Sequence, residues 1–211
     1  MLEAAGGTRG LAVRQRGTKT FKDLSGLPEF QRSFISSFGE DKRRRLWMSI
    51  MRGWFVRYED GRFMSIRLPG AHPDLRILCF MFDRAGRLWF GTQSHGLGRV
   101  DNPDAERWTV KMYSTAERLS SNSIEALVAD DHGRIYAGTG RGLDRLDPRS
   151  GEVRSYGPGD GFARGLVRAA FRDRRGRLWF GTTQGVSELA PAETDAFPRP
   201  PVRTFISGVV A

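Results

Sequence analysis

Carboxylates at nearly constant spacing are the residues of this sequence that first suggest chemistry. Aspartates stand at positions 83, 130 and 173, and paired carboxylates supply the acid, base and nucleophile of glycoside hydrolysis. Each of these aspartates, however, opens the same short motif. A catalytic residue is needed once, whereas a turn residue is needed in every structural unit. We therefore interpret Asp83, Asp130 and Asp173 as structural and expect no catalytic residue in this chain.

Other nucleophilic or metal-ligating side chains are few. His72, His95 and His132 show no metal-ligand spacing. The single cysteine, Cys79, cannot form an internal disulfide and lies in an apolar stretch, so we interpret it as a small buried hydrophobic residue. The sequence has no Gly-x-Ser-x-Gly motif and no phosphate-cradling glycine loop. We expect neither a metal site nor a cofactor.

The motif that carries the aspartates recurs and defines the architecture. DRAGRLWFGT at 83–92 returns with one substitution as DRRGRLWFGT at 173–182, and DDHGRIYAGT at 130–139 is a more divergent copy. DKRRRLWMSI at 41–50 has lost both glycines. Successive aspartates are 42, 47 and 43 residues apart, and a period of this size indicates a repeat architecture. GGTRGL at 6–11 fits the second half of a further unit.

Each unit is predicted to be four short antiparallel strands. An apolar run such as IEALVA at 124–129 predicts a strand that is buried on both faces. The Asp-x-x-Gly that follows predicts a tight turn in which Gly86, Gly133 or Gly176 takes positive φ. In the next strand one large aromatic residue per unit packs against a neighbour: Trp47, Trp89, Tyr136 and Trp179. Four strands per unit of about 40–45 residues are typical of a β-propeller blade.

The consensus of the copies, I-x5-D-x-x-G-R-L-W-F-G-T-x2-3-G-L-x-R-[LV]-D, resembles the two-component regulator propeller repeat. The resemblance covers nearly all of residues 1–190. It implies the extracytoplasmic sensor region of a bacterial hybrid histidine kinase or a related regulator, with carbohydrate as the suggested ligand. It also implies that a β-sandwich domain follows the propeller and passes a signal to a transmitter domain.

We accordingly predict an all-β fold, a partial β-propeller of about four blades followed by the start of a β-sandwich. The predicted blade boundaries are 1–34, 35–76, 77–123, 124–166 and 167–190. Residues 191–201 are a predicted Pro-rich linker, and residues 202–211 the predicted beginning of an Ig-like sandwich. The chain is expected to be a piece of a longer protein; the alternatives are a short open array and a ring completed by a second chain.

Arginine dominates the charge of this chain. The net charge is +10, and four of the 34 basic residues are lysine. A basic chain raises the prospect of nucleic-acid binding, but we expect none, because the arginines recur at fixed positions of the repeat. We expect the dense run DKRRR at 41–45 to be a solvated tip. The repeat arginines are expected on turn tips and exposed strand faces: Arg84, Arg87, Arg99, Arg134, Arg145, Arg174 and Arg177.

A ligand site is expected at one end of the propeller. In a four-stranded blade, the loop between the second and third strands and the connector between blades lie at the same end. These segments vary between units, whereas the Asp-x-x-Gly turns at the other end do not, and binding tends to reside in variable loops on a constant scaffold. The candidate ligand-binding residues are Gln93, Ser94, His95, Arg141, Thr183, Gln184, Arg76, Arg168 and Asn122.

Three functions remain open on the sequence alone. The leading one is a ligand-sensing module of a two-component signalling protein, located in the periplasm or otherwise outside the cytoplasm of the parent cell; MLEAAGG at the N-terminus lacks the features of a signal peptide. The second is a propeller enzyme of the lyase or glycosidase type, and the third is an interaction scaffold without a signalling role. In each case, open blade faces are expected to promote self-association.

Overall fold

The structure is a computed structural model that describes residues 2–7, 10–15, 19–23, 34–50 and 52–191. Eighteen β-strands make up five antiparallel sheets within these residues. The strands are β1 Leu2–Gly7, β2 Gly10–Gln15, β3 Lys22–Asp23, β4 Ile35–Glu40, β5 Leu46–Ile50, β6 Trp54–Glu59, β7 Arg62–Arg67, β8 Ile77–Phe82, β9 Leu88–Thr92, β10 Leu97–Val100, β11 Val110–Tyr113, β12 Ile124–Ala129, β13 Ile135–Thr139, β14 Gly142–Leu146, β15 Val153–Tyr156, β16 Val167–Arg172, β17 Leu178–Thr182 and β18 Gly185–Leu189.

Strands that follow one another in the chain are neighbours in every sheet. The sheets are β1–β3, β4–β7, β8–β11, β12–β15 and β16–β18, and we call them blades 1 to 5. The first strands β4, β8, β12 and β16 contact one another in series, so the sheets fan out from their first strands. This arrangement confirms the predicted all-β class and partial β-propeller.

Blade 1 lacks a first strand among the described residues. Its strand β1 contacts β4. Both the first and the second strand of a blade contact the first strand of the next one, as β8 and β9 do with β12. The sequence offset of GGTRGL assigns β1 to β3 to the places of the second, third and fourth strands.

The hydrophobic core lies between the blades. Between blades 3 and 4, Trp89 and Leu97 pack against Ile124, Ile135 and Leu146. All five side chains are almost completely buried. Corresponding clusters lie between blades 2 and 3 and between blades 4 and 5. Because each blade supplies one face to each of two clusters, its strands carry apolar residues on both faces.

The glycine of the Leu-Trp-Phe-Gly-Thr strand allows the next blade to approach. A Cβ atom on Gly91 would lie 2.7 Å from the carbonyl oxygen of Ile124, and one on Gly138 would lie 2.5 Å from Cγ1 of Val167. Ile124 and Val167 are the first residues of the neighbouring blades' first strands. A side chain at either glycine would require the neighbouring blade to shift; in blade 2, Ser49 occupies the equivalent position and is fully buried.

The aspartate of each turn ties the turn to the aromatic residue of the second strand. In blade 3, Oδ1 of Asp83 accepts a hydrogen bond from the backbone N–H of Arg87 at 3.0 Å, and Oδ2 accepts from Arg87 Nε at 2.6 Å and Trp89 Nε1 at 2.8 Å. The Arg87 guanidinium lies 5.7 Å from the centroid of the Trp89 ring. Blades 2 and 5 repeat the same bonds. In blade 4 the hydroxyl of Tyr136 replaces the indole at 3.1 Å.

The structure corrects the prediction that the repeat arginines lie on exposed surfaces. Arg45, Arg134 and Arg145 are buried, and Arg87, Arg99 and Arg177 are half-buried. Arg45 can be buried because Asp41 and Asp104 neutralise its guanidinium, at 2.6 and 2.7 Å. The run 41–45 is therefore a solvated tip only at Lys42, Arg43 and Arg44. Arg84 and Arg174 are exposed as predicted.

Apart from Pro191, the predicted Pro-rich linker and the predicted sandwich at 202–211 lie outside the described residues. Neither short 3-10 helix in the described part of the chain, Thr115–Glu117 or Pro158–Asp160, has the length and apolar character that crossing a bilayer requires.

Candidate functional site at the loop end of the propeller

The two ends of the propeller differ in construction. At one end, which we call the loop end, the loops between second and third strands bond to the connectors between blades. The backbone N–H of Gln93 donates to the carbonyl of Arg76 at 3.0 Å, and that of Thr183 donates to the carbonyl of Leu166 at 3.0 Å. The Asp-x-x-Gly turns form the opposite end, which we call the turn end. The predicted ligand-binding residues belong to the loop end and fall into two clusters.

The first cluster lies on blade 3 and contains Arg76, Gln93, Ser94 and His95. The side chains of all four are exposed. His95 stacks on His72, with ring centroids 6.4 Å apart. Ser94 Oγ lies 3.1 Å from Nδ1 of His95. The histidine pair was not predictable from the sequence, because the two residues are 23 positions apart and meet only where the loop bonds to the connector.

Asn122 has a structural contact in the connector between blades 3 and 4. Its side-chain Oδ1 accepts a hydrogen bond from the backbone N–H of Thr115 at 2.9 Å, and its carbonyl accepts one from the N–H of Gly96 at 2.8 Å. The residue is half-buried. Asn122 therefore fixes the shape of the connector and joins it to the loop that carries Gln93 and His95.

The second cluster lies on blades 4 and 5 and contains Arg141, Arg168, Thr183 and Gln184. Thr183 and Gln184 pack against Gly165, where a Cβ atom would lie 2.3 Å from Oγ1 of Thr183 and 3.3 Å from Cγ of Gln184. Arg141 donates from Nη1 to the carbonyl of Ser120 at 3.3 Å. Arg168 donates from Nη1 to Oε2 of Glu125 at 3.3 Å. The cluster therefore spans the boundary between two blades.

The sequence analysis missed a β-bulge that recurs near the start of every first strand. The register shifts between Ile35 and Ser37, and again between Ile77 and Cys79, Ile124 and Ala126, and Val167 and Ala169. The bulged residues are Ser36, Leu78, Glu125 and Arg168.

Bulges re-aim side chains and are frequent beside functional sites. The contact between Glu125 and Arg168 shows that bulged residues of adjacent blades meet. In blades 4 and 5 a charged residue, Glu125 or Arg168, interrupts the apolar run and was the signal in the sequence.

The cavities found at the turn end are small. One of about 250 Å³ lies between blades 2 and 3 and is lined by Lys42, Arg43, Gly86 and Asp104, among others. A second of about 130 Å³ lies between blades 4 and 5 beside His132 and Arg175. Both are smaller than the roughly 300–1,000 Å³ that is usual for ligand pockets. Their walls come from the Asp-x-x-Gly turns together with neighbouring segments, Asp101–Asp104 in the first cavity and Ala190 and Pro191 in the second.

The chemistry of the loop end is that of binding through polar contacts. In the described ranges, no three histidine, cysteine, aspartate or glutamate side chains come together as a metal site would require. Cys79 is half-buried, and burial raises the pKa of its thiol to about 12, which keeps it protonated and unreactive. The exposed amide, hydroxyl, imidazole and guanidinium groups of the two clusters can donate to and accept from a polar ligand.

Comparison with known proteins agrees with the repeat geometry. The model of the two-component regulator propeller family matches residues 72–94 and 161–184. Each matched segment begins in the connector before a first strand and ends in the loop after the second strand. No functionally curated protein matches the chain at a significant level.

Solved structures share the fold. The extracellular domain of BT3049 of B. thetaiotaomicron, described as a hybrid two-component system, is 21% identical with a TM-score of 0.75 over 90% of this chain and 26% of its own. The extracellular domain of BT4673 of the same organism, also described as a hybrid two-component system, is 21% identical. Its TM-score is 0.73 over 89% of this chain and 25% of its own.

Virginiamycin B lyase of Staphylococcus aureus is 13% identical with a TM-score of 0.63 over 89% and 64%. The chain thus spans about a quarter of the length of the two extracellular domains. At these identities the likeness to all three structures is one of fold. The family model adds that two segments of this chain are similar to the two-component regulator propeller repeat.

Proposed function

We propose that this propeller is the ligand-sensing module of a bacterial two-component signal transduction protein, part of a sensor histidine kinase that displays it outside the cytoplasm. The observation that carries the proposal is the contrast between the ends. The turn end repeats the same bonds in blades 2 to 5, with tyrosine in place of tryptophan in blade 4, whereas the loop end presents different polar side chains on each of them. Variable loops on a rigid scaffold are where binding usually resides.

The signal would pass along the chain. We propose propeller repeats over residues 1–190, a linker at 191–201 and the start of a β-sandwich at 202, with a transmitter domain beyond. A ligand that binds one arrangement of propeller and sandwich more tightly than another shifts the population toward that arrangement. The ligand is a small molecule, for which the family resemblance suggests carbohydrate.

A catalytic role has weaker support. The likeness to virginiamycin B lyase is one of fold and does not carry a reaction to this chain. The matched repeats are those of the regulator family, which favours a sensor over a lyase, a glycosidase or a scaffold without signalling. Reading the gene on both sides of this segment discriminates among them. A membrane-spanning helix and a kinase domain downstream support the sensor, whereas a stop codon directly after the propeller contradicts it.

A ligand screen tests where binding occurs. The chain is screened by thermal unfolding against a panel of neutral and charged oligosaccharides and small metabolites, since a ligand that binds only the folded state raises the melting temperature. Each hit is then measured on two variants: Gln93→Ala with Ser94→Ala at the loop end, and Lys42→Gln with Arg175→Gln at the turn end. We expect the loop-end variant to lose binding and the turn-end variant to keep it; the reverse result would reject the proposed site.

A signalling test follows for the protein that contains this propeller. Autophosphorylation in membrane vesicles is measured with and without the hit, in the native protein and the loop-end variant. The proposal predicts a ligand-dependent change that the loop-end variant lacks. Binding without any change in phosphorylation would leave a scaffold as the function and reject the sensor.

A further inference from the structure

Arginines outnumber carboxylates at the loop end. The described residues of this end include four carboxylates, Asp74, Glu117, Glu125 and Asp160. They include seven arginines, all exposed: Arg52, Arg67, Arg76, Arg118, Arg141, Arg164 and Arg168. A surface lined by one sign of charge attracts ligands of the opposite sign.

Three of these carboxylates, Glu117, Glu125 and Asp160, already accept hydrogen bonds. Glu117 accepts hydrogen bonds from the backbone N–H and the hydroxyl of Ser114, at 2.7 and 2.8 Å. Asp160 accepts one from the N–H of Gly157 at 3.0 Å. By contrast, the guanidinium groups of Arg52, Arg76, Arg118 and Arg164 contact no acceptor in the part of the chain that the structure describes. The excess positive charge is therefore not neutralised within this end.

Three of the arginines belong to segments that meet at one connector, Gly165 and Leu166. A Cβ atom on Gly140 would lie 3.6 Å from Cδ1 of Leu166, so the turn that carries Arg141 lies against this connector. Arg164 precedes Gly165, and its carbonyl accepts a hydrogen bond from Oγ1 of Thr182 at 2.6 Å. Arg168 follows two residues after Leu166, at the bulge of β16.

Glu125 holds Arg168 at the boundary between the blades. The carboxylate of Glu125 is 16% exposed and the side chain of Arg168 63% exposed. Oε1 of Glu125 accepts a hydrogen bond from Ser123 Oγ at 3.0 Å, and Oε2 accepts one from Arg168 at 3.3 Å. Since a guanidinium has five N–H donors, Arg168 keeps donors for a ligand while this pair fixes its stem.

We propose that Arg141, Arg164 and Arg168 bind an anionic group of the ligand, a carboxylate, sulfate or phosphate. The inference rests on the proposed function, because it takes the loop end as the ligand site. Guanidinium groups recognise such anions in a bidentate manner. Thr183 and Gln184, which pack on Gly165, add neutral donors beside the three charges.

Anion binding to matched variants tests the proposal. The probes are citrate, sulfate and inorganic phosphate, measured by calorimetry at two salt concentrations. One variant combines Arg141→Gln, Arg164→Gln and Arg168→Gln. The control combines Lys42→Gln, Arg174→Gln and Arg175→Gln, which removes the same charge from exposed residues of the turn end. We expect the affinity of the triple variant for citrate to fall by roughly a thousandfold or more, about tenfold for each hydrogen-bonded charge that is lost, since hydrogen bonds to charged groups are the stronger class.

The outcomes separate this inference from the proposed function. An equal loss in both variants would mean attraction by net charge alone and would overturn the arginine site, as would a native chain that binds none of the three probes. A neutral ligand that needs Gln93 and Ser94 but tolerates the arginine variant would overturn the inference and leave the loop end as the sensing site. Loss confined to the control would overturn both. Circular dichroism of each variant shows that the fold is retained.

Discussion

Blades 3 and 5 contain nearly the same ten-residue segment, at 83–92 and 173–182, but differ in which residues cover it. Trp89 is completely buried, whereas Trp179, in the same Leu-Trp-Phe-Gly-Thr strand, is half-buried. Leu97 and Val186 occupy equivalent positions and are 0% and 68% exposed. Blade 4 covers this face of blade 3, and no described residue covers it on blade 5. The burial of the motif is therefore a property of its neighbour, as expected when repeats share their core with the next repeat.

The glycines show the same contrast at atomic detail. Around Gly91, a Cβ atom would lie within 2.8 Å of two atoms of Ile124 in blade 4. Around Gly181, the atom nearest to such a Cβ is Cβ of Ala169 in the same sheet, at 3.6 Å. The strand sequence is identical in the two blades. In blade 3 the following sheet and Cys79 Sγ of the same sheet, at 2.7 Å, together leave no room for a side chain.

The largest difference is expected for the tryptophans. Trp89→Ala should lower the free energy of unfolding by about 3–5 kcal/mol, because it leaves a cavity in a packed interface. Trp179→Ala should cost about 1–2 kcal/mol, because only part of that side chain is removed from water. Urea unfolding of both variants, with the native chain as reference, measures the two losses. Equal losses would show that the motif is stabilised within its own sheet.

A smaller difference is expected for the glycines. Gly91→Ala should cost about 1–3 kcal/mol, as overpacking of a filled interface does. Gly181→Ala should change stability by a few tenths of a kcal/mol at most, since the site is open and alanine restricts the unfolded chain. The same unfolding experiment compares them, with Gly181→Ala as the matched control. A destabilised Gly181→Ala chain would contradict the explanation by close approach.

The repeat made the fold predictable from the sequence. The strand order follows from local patterns: an apolar run, an Asp-x-x-Gly turn and an aromatic strand, each of which is decided by residues a few positions apart. The burial of Arg45 and Arg134 did not follow. Their aspartate partners stand four residues earlier and were visible, but whether the ion pair is buried depends on the blade that covers it.

The loop end was predictable in position but not in geometry. Alternation of strands places all second-to-third strand loops at one end, so Gln93, Arg141 and Thr183 could be assigned to it. That His72 stacks on His95, and that Glu125 holds Arg168, depends on how adjacent blades are rotated. A single sequence carries little information on that rotation, and the bulges that produce the second contact leave only a break in the apolar pattern.

The stability of blade 5 at acid pH depends on the ionisation of Asp173. Burial raises the pKa of Asp173, but hydrogen bonds from Trp179 and from the backbone of Arg177 and Arg175 outweigh it and lower the pKa from 3.8 to about 2. Because the folded-state pKa is depressed, ionised Asp173 stabilises the fold above about pH 4. This stabilisation is lost as the pH falls through about 2. Unfolding of the native chain between pH 6 and pH 2 should follow that course.

The matched variant for this experiment is Asp173→Asn, which keeps the size of the side chain and cannot ionise. It should be less stable than the native chain at pH 6, and the difference should shrink as the pH approaches 2. Trp179→Phe removes one of the donors and should move the loss of stability to higher pH. A difference between native chain and Asp173→Asn that is constant over the whole range would contradict the role of the ionised carboxylate.

The smallest effect on stability, and a clear one on association, is expected on the uncovered face of blade 5. Phe171 and Val186 are 64% and 68% exposed there, at positions that a following blade covers elsewhere in the molecule. Exposed apolar faces of this kind associate, and we expect the isolated chain to form oligomers as its concentration rises. Phe171→Lys with Val186→Lys should make it monomeric in light scattering and change the free energy of unfolding by about 0.5 kcal/mol or less, since neither side chain is buried in the monomer.

Met64→Lys with Met112→Lys is the control, because those side chains are also exposed but lie on fourth strands, away from this face. If the control abolishes association and the blade 5 variant does not, or if the native chain is monomeric at every concentration, the open face is not where copies of the chain meet.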